Sequence, residues 1–123
     1  MNNILAVFVG GGIGSLMRYG VSVLVQNNFK SYFPLATLLS NILSCAIMAI
    51  AMVFMVGKTD LSITWKVFLL TGICGGFSTF STFSFETVEL IRGGYTIYAV
   101  VNVLVSIAVC FLILFFFAKS NSI

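Results

Sequence analysis

The segment GGFSTFSTFSFE, Gly75 to Glu86, steps Phe77, Phe80 and Phe83 at intervals of three and runs Ser78, Ser81 and Ser84 alongside them. On a helix of about 3.6 residues per turn such a step drifts by only about 60°. Phe80 and Phe83 therefore share one stripe, and Ser81 and Ser84 the next. A phenyl ring has an electron-poor edge, so a ring presented edge-on attracts an anion without offering a full positive charge. Hydroxyls and the amide of Asn41 add donors, again with no permanent countercharge. This chemistry strips and passes an anion; it does not make or break bonds. The same residues also fit a plainer use, as lipid-facing or core phenylalanines separated by small polar knobs.

Two glycines precede these stripes, and consecutive glycines weaken a helix interior while nearby hydroxyls offer the backbone competing bonds. The spacing predicts a break between Gly75 and Thr79. Broken backbone at membrane depth survives only where it is buried in protein or lines a cavity, and the carbonyls it frees are good ligands for a hard cation.

Polar residues elsewhere are few. Arg18 lies about 7 residues, roughly 10 Å, from the end of its apolar run, and is placed near an aqueous vestibule either functionally or by snorkelling. Thr37 and Asn41 are four apart, as are Ser40 and Ser44, so these groups gather on part of one helix. An amide in hydrocarbon needs a partner, which makes Asn41 a clasp between helices or a pore donor. Asn102, Ser106 and Cys110 repeat at intervals of four in the last run. Cys45, Cys74 and Cys110 show neither metal-ligand spacing nor a disulfide framework and read as small packing residues.

Four apolar runs must position these groups, residues 4–25, 35–56, 65–90 and 95–117, in one domain spanning 1–123. The chain is 60% hydrophobic and 7% charged, which excludes a soluble globular class. Runs of about 22 residues reach roughly 33 Å, enough to cross a bilayer core. Short polar connectors join them, and Pro34 suits the first turn of the second helix. The first run lacks a basic start and a small-residue cleavage site and reads as a permanent helix. Within it, Ala6, Gly10 and Gly14 form a stripe on which a neighbouring backbone can pack closely.

Lysines and arginines divide evenly between the two sides: Lys58, Lys66 and Lys119 against Lys30, Arg92 and Arg18. Orientation follows that imbalance, and here there is none. Either six charges are too few to decide, or the chain inserts both ways and pairs antiparallel.

Taken together, the glycine run followed by Arg18, the Asn41 of LLSNILS and above all GGFSTFSTFSFET resemble the bacterial fluoride channels of the Fluc family, also called CrcB, over essentially the whole chain. The resemblance implies an all-α integral membrane protein of four transmembrane helices, the third broken in mid-membrane, paired as an antiparallel dual-topology homodimer in the bacterial cytoplasmic (inner) membrane. It implies two fluoride pores built from both subunits. Carried over residue by residue, Phe80 and Phe83 are the paired pore phenylalanines, Asn41 the pore asparagine, Ser81 and Thr82 pore hydroxyls, and Asn102 and Ser106 part of a polar track. Cys110 continues that track with a weaker donor, and Arg18 joins the pathway from the first helix. A structural sodium ion is implied at the dimer centre, on the backbone carbonyls of Gly75 and Ser78. The partners are then fluoride, a second copy and membrane lipid, with no nucleic acid and no enzymatic activity.

The competing class is a small dual-topology proton-coupled multidrug transporter. It requires a membrane-embedded carboxylate, for which Glu86 and Glu89 are the candidates; Glu89 and Arg92 are at ion-pair spacing. A scaffold or pore-forming lysis protein is the third.

Overall fold

The computed structural model describes residues 2–58 and 60–121. Helix α1, Asn3–Asn28, starts where the Asn2 side chain accepts from the Leu5 N–H, satisfying one orphan donor of the first turn. Helix α2 is Leu35–Met55, with Pro34 just ahead of its first turn at the capping position. Helix α3, residues 63–77, is composite: an α-helical turn Ile63–Lys66 capped by Ser62, a π-helical stretch Val67–Cys74 and a last α-helical turn Gly75–Phe77. Helix α4 is Phe80–Arg92 and helix α5 Thr96–Asn121. Four stretches, with α3 and α4 counted as one, are long and apolar enough to cross a membrane. They begin at or ahead of the expected residues except for the last, and the first, third and fourth run on past the expected ends, because capping residues and polar side chains extend a helix beyond its apolar stretch.

The break lies at the late end of the expected window. Gly75 and Gly76 stay helical, and the chain leaves the helix at Ser78 (φ −78°, ψ 158°) and Thr79 (φ −152°, ψ 119°). The π-helical stretch before it was not foreseen. Wide turns of this kind are rare and gather at functional sites; nothing in the local composition of VFLLTGIC announces one.

Glycines set the α1–α3 distance. A Cβ on Gly10 would stand 2.5 Å from the Phe68 carbonyl oxygen, one on Gly72 2.9 Å from the Gly10 Cα, and one on Gly76 2.5 Å from the Gly11 carbonyl oxygen. On Gly14 it would collide with the Ile73 carbonyl oxygen. The Ala6, Gly10 and Gly14 stripe is buried as expected, and its partner surface on α3 is glycine too. Helix α2 packs against α5, and α4 against α5. Gly57 and Gly94, at φ 76° and 86°, close the turns after α2 and α4, a backbone region that other residues enter at a cost.

One end of the bundle is tied by rings. Tyr32, from the α1–α2 connector, stacks on Tyr95 at 4.6 Å between centroids, and Phe33 meets Tyr98 edge-on at 6.5 Å. Amphipathic rings suit the membrane–water boundary. Large apolar side chains stand exposed along every long helix, the state of a surface whose solvent is lipid or another protein.

Gly10→Val and Gly14→Val are expected to lower stability in mixed micelles by about 1–3 kcal/mol through overpacking. Gly20→Ala, with nothing within 4 Å of its added Cβ, should lie within about 0.5 kcal/mol of the parent. Equilibrium unfolding measures both, and an unperturbed Gly14 variant would contradict the close α1–α3 contact.

Candidate functional site

Side chains of α1 and α2 converge on the backbone at and just before the break. In an unbroken helix the Thr79 N–H would point at the Gly75 carbonyl; here it donates to Asn41 Oδ1 of α2 at 2.8 Å. The Cys74 carbonyl receives the Ser78 N–H at 3.0 Å, the Ser78 hydroxyl at 2.9 Å and the Ser44 hydroxyl of α2 at 2.8 Å. Arg18 Nε of α1 donates to the Gly76 carbonyl at 3.1 Å. Thr79 then restarts the helix, its hydroxyl accepting from the Thr82 N–H at 3.2 Å, as a capping threonine does.

Asn41 is thus a clasp, and its geometry leaves it a second capacity. Its oxygen is engaged by Thr79, whereas Nδ2 makes only a 3.5 Å contact to the Thr79 carbonyl, at the outer limit of a hydrogen bond. The amide N–H₂ therefore retains donor capacity, and Asn41 lines a groove of about 370 Å³.

That groove joins three helices. Asn41 and Cys45 come from α2, Phe80 and Phe83 from α4, and Ser106, Ile107, Cys110 and Phe111 from α5, with Ser78 and Thr79 of the break at its wall. The two phenylalanines are tilted by 41° with centroids 5.7 Å apart. They are not equivalent: Phe83 is 9% exposed, a fixed wall, and Phe80 is 79% exposed, so the groove is unfinished on that side.

Four of the eight expected pathway residues, Asn41, Phe80, Phe83 and Ser106, meet in the groove. The others stand elsewhere. Asn102 is 1% exposed and lies behind the wall, where Ser106 Oγ donates to its Oδ1 at 3.3 Å and its Nδ2 donates to Thr87 Oγ1 at 3.0 Å. Thr87 passes the chain on to the Phe83 carbonyl at 2.7 Å, so the polar line of α5 holds α4, and with it the Phe83 ring, in place. Ser81 is exposed and Thr82 half-buried, each in contact with the Thr79 hydroxyl, at 3.3 and 3.1 Å. Arg18 reaches the break from α1 rather than entering the groove. Of the two expected carbonyl positions, Gly75 is exposed and Ser78 half-buried, and a Cβ on Gly75 would meet only the Leu70 carbonyl at 4.0 Å.

Sequence reasoning did not single out Thr87, or the pairing of Thr37 with Glu86. The Thr37 hydroxyl donates to the Glu86 carboxylate, and Glu86 also lines a second cavity of about 350 Å³ with Glu89, Tyr32 and Pro34. The signal for Thr87 was its place four residues after Phe83, the spacing of a hydroxyl returning to the previous turn. Glu89 pairs with Arg92 at 3.1 Å, as their spacing predicted.

The family profile described as "CrcB-like protein, Camphor Resistance (CrcB)" matches residues 5–117, nearly the whole chain. The chain belongs to the CrcB family. Curated relatives of this CrcB chain are each named "Fluoride-specific ion channel FluC". The protein from Shewanella pealeana (strain ATCC 700345 / ANG-SQ1) is 42% identical over 116 residues, covering 94% of this chain and 92% of its own. That from Ruminiclostridium cellulolyticum (strain ATCC 35319 / DSM 5812 / JCM 6584 / H10) is 44% identical over 110 residues, covering 89% and 85%. That from Serratia proteamaculans (strain 568) is 41% identical over 108 residues, covering 88% and 84%. These relatives are named as ion channels, not enzymes, and the groove gathers rings and donors rather than a nucleophile with its base.

Asn41→Ala is expected to leave the Thr79 N–H without its partner and to destabilise the chain by about 1–3 kcal/mol. Unfolding in micelles and amide hydrogen exchange at Thr79 read this out; unchanged protection of that amide would remove Asn41 from the role of clasp.

Proposed function

We propose that this chain is a fluoride-selective channel that lets fluoride leave the cytoplasm passively across the bacterial inner membrane and so lowers its toxicity. The observation that carries the reading is the groove in which Asn41, Phe80, Phe83 and Ser106 converge, in a chain whose relatives are named for fluoride channels. Hydrofluoric acid enters cells neutral and ionises inside, so the trapped anion needs only a route out that the membrane potential can drive. A small, strongly hydrated anion is discriminated by donors that replace its water within a narrow space. The Asn41 Nδ2 donor and the ring edges of Phe80 and Phe83 offer such replacement without a full positive charge that would hold the ion. Ser81 and Thr82, beside the break, and the oriented line from Ser106 through Asn102 would support that path. Arg18 belongs to it through its hold on the break.

The same reading makes the working unit an antiparallel homodimer in lipid. It is supported by three features: the even division of six cations, the 79% exposed Phe80 ring and the exposed backbone of Gly75 at membrane depth. A second copy would close the groove and cover that backbone. A structural sodium ion fits this arrangement, because the Thr79 N–H is diverted to Asn41 and Gly75 presents its backbone outward. Carbonyls of Gly75 and Ser78 from both chains would hold it, and it would supply fixed positive charge and cohesion at the dimer centre.

In proteoliposomes the chain is expected to pass fluoride and not chloride or a cationic dye. Phe80→Ile and Phe83→Ile should each cut fluoride flux at least tenfold in a folded protein. Asn41→Asp, which can still accept from Thr79 but no longer donates and adds a negative charge, should do the same. Normal flux in all three would sink the groove as the pathway; dye transport coupled to protons would identify a drug transporter instead.

Replacing sodium on both sides with a large organic cation should lower fluoride flux severalfold with no sodium moving alongside. Undiminished flux, or sodium flux in proportion to fluoride, would remove the structural ion.

A further inference from the structure

The groove contains a pair of groups that the proposed conduction does not use. Cys45 lies one helical turn beyond Asn41 on α2, and Cys110 one turn beyond Ser106 on α5. The two helices pack on each other, and both cysteines line the groove. Both are free and only half-buried. Cys74 differs: it is 1% exposed and outside the groove.

We propose that Cys45 and Cys110 form a dithiolate site for a soft divalent cation that favours two ligands, of which the mercuric ion is the type, and that filling it closes the groove. Thiolates select soft metals. Binding breaks both S–H bonds, releases two protons to the bulk through the groove and forms two metal–sulfur bonds; no electron changes hands. Two thiolates cancel the divalent charge, so the filled site is neutral and is tolerated among apolar walls. Zinc is disfavoured because it takes four ligands. Among the described residues no group of three or more His, Cys, Asp or Glu side chains is arranged around a common point. A metal held between Cys45 and Cys110 would stand one turn from Asn41 and Ser106, across the space that an ion must pass. Closure of flux rests on the groove being the anion path, whereas metal binding does not.

The test uses the purified full chain in proteoliposomes with mercuric chloride, and each variant is compared with its own metal-free flux. The parent and Cys74→Ala should lose at least tenfold of their fluoride flux and recover it with excess dithiothreitol. Cys45→Ser and Cys110→Ser should each lose less than twofold, and zinc chloride at the same concentration should leave the parent unblocked. Independently of flux, the desalted protein carrying Cys74→Ala should hold one mercury per chain and show a thiolate-to-mercury charge-transfer band in the ultraviolet. That band should be absent when Cys45 or Cys110 is also replaced. Block that survives in both single variants, equal block by zinc, or no bound mercury would overturn the site. Mercury bound through the pair with flux unchanged would retain the site but overturn both its closing role and the groove as the conduction path.

Discussion

A transmembrane helix can be interrupted only if the backbone groups it releases find partners, since hydrocarbon supplies none. The rest of this structure is arranged around that requirement at Ser78 and Thr79. Asn41 accepts the Thr79 N–H, Ser44 and Ser78 both reach the Cys74 carbonyl, and Arg18 reaches the Gly76 carbonyl. Helices α1 and α2 therefore converge on the break with polar side chains, and the polar residues of an otherwise apolar chain concentrate there for a structural reason before any functional one.

The break also creates the site. By stopping one helix and starting another, it turns Phe80 and Phe83 toward the seam between α2 and α5, where a continuous helix would give them a different heading. Asn41 shows the economy of the arrangement, since the oxygen of its amide holds the backbone while the nitrogen keeps donor capacity. Arg18 is explained in similar terms: its guanidinium at membrane depth is tolerated because Nε has a carbonyl to meet, and its charge stands close to the break without lining the groove.

Behind the groove, Ser106, Asn102, Thr87 and the Phe83 carbonyl form a continuous hydrogen-bonded line. Such a line is strong in a low-dielectric interior when each member is satisfied. It fixes the position of the buried ring at Phe83, whereas Phe80, with no comparable support, lies on the surface of the single chain. Glycine does the corresponding work on the other flank, where α1 and α3 approach so closely that a methyl group at Gly10, Gly14, Gly72 or Gly76 would meet backbone.

Much of this was legible in the order of residues alone. Four runs of apolar residues can only be helices in a membrane, because a helix alone among short segments satisfies its own backbone. The small-residue stripe of α1, the interruption after Gly75 and the pair Glu89–Arg92 follow from local spacing in the same way. Three-dimensional packing decided what spacing cannot carry. That Asn41 meets Thr79, 38 residues away, and that Asn102 lies behind the wall while Ser106 lies in it, depend on how separate helices rotate against one another. The π-helical turns of Val67–Cys74 likewise reflect tertiary fit, because wide turns have no side-chain signature and are selected by what the helix must pack against. Local chemistry thus determined which residues could form a site, and the relative rotation of α2, α4 and α5 decided which of them share it.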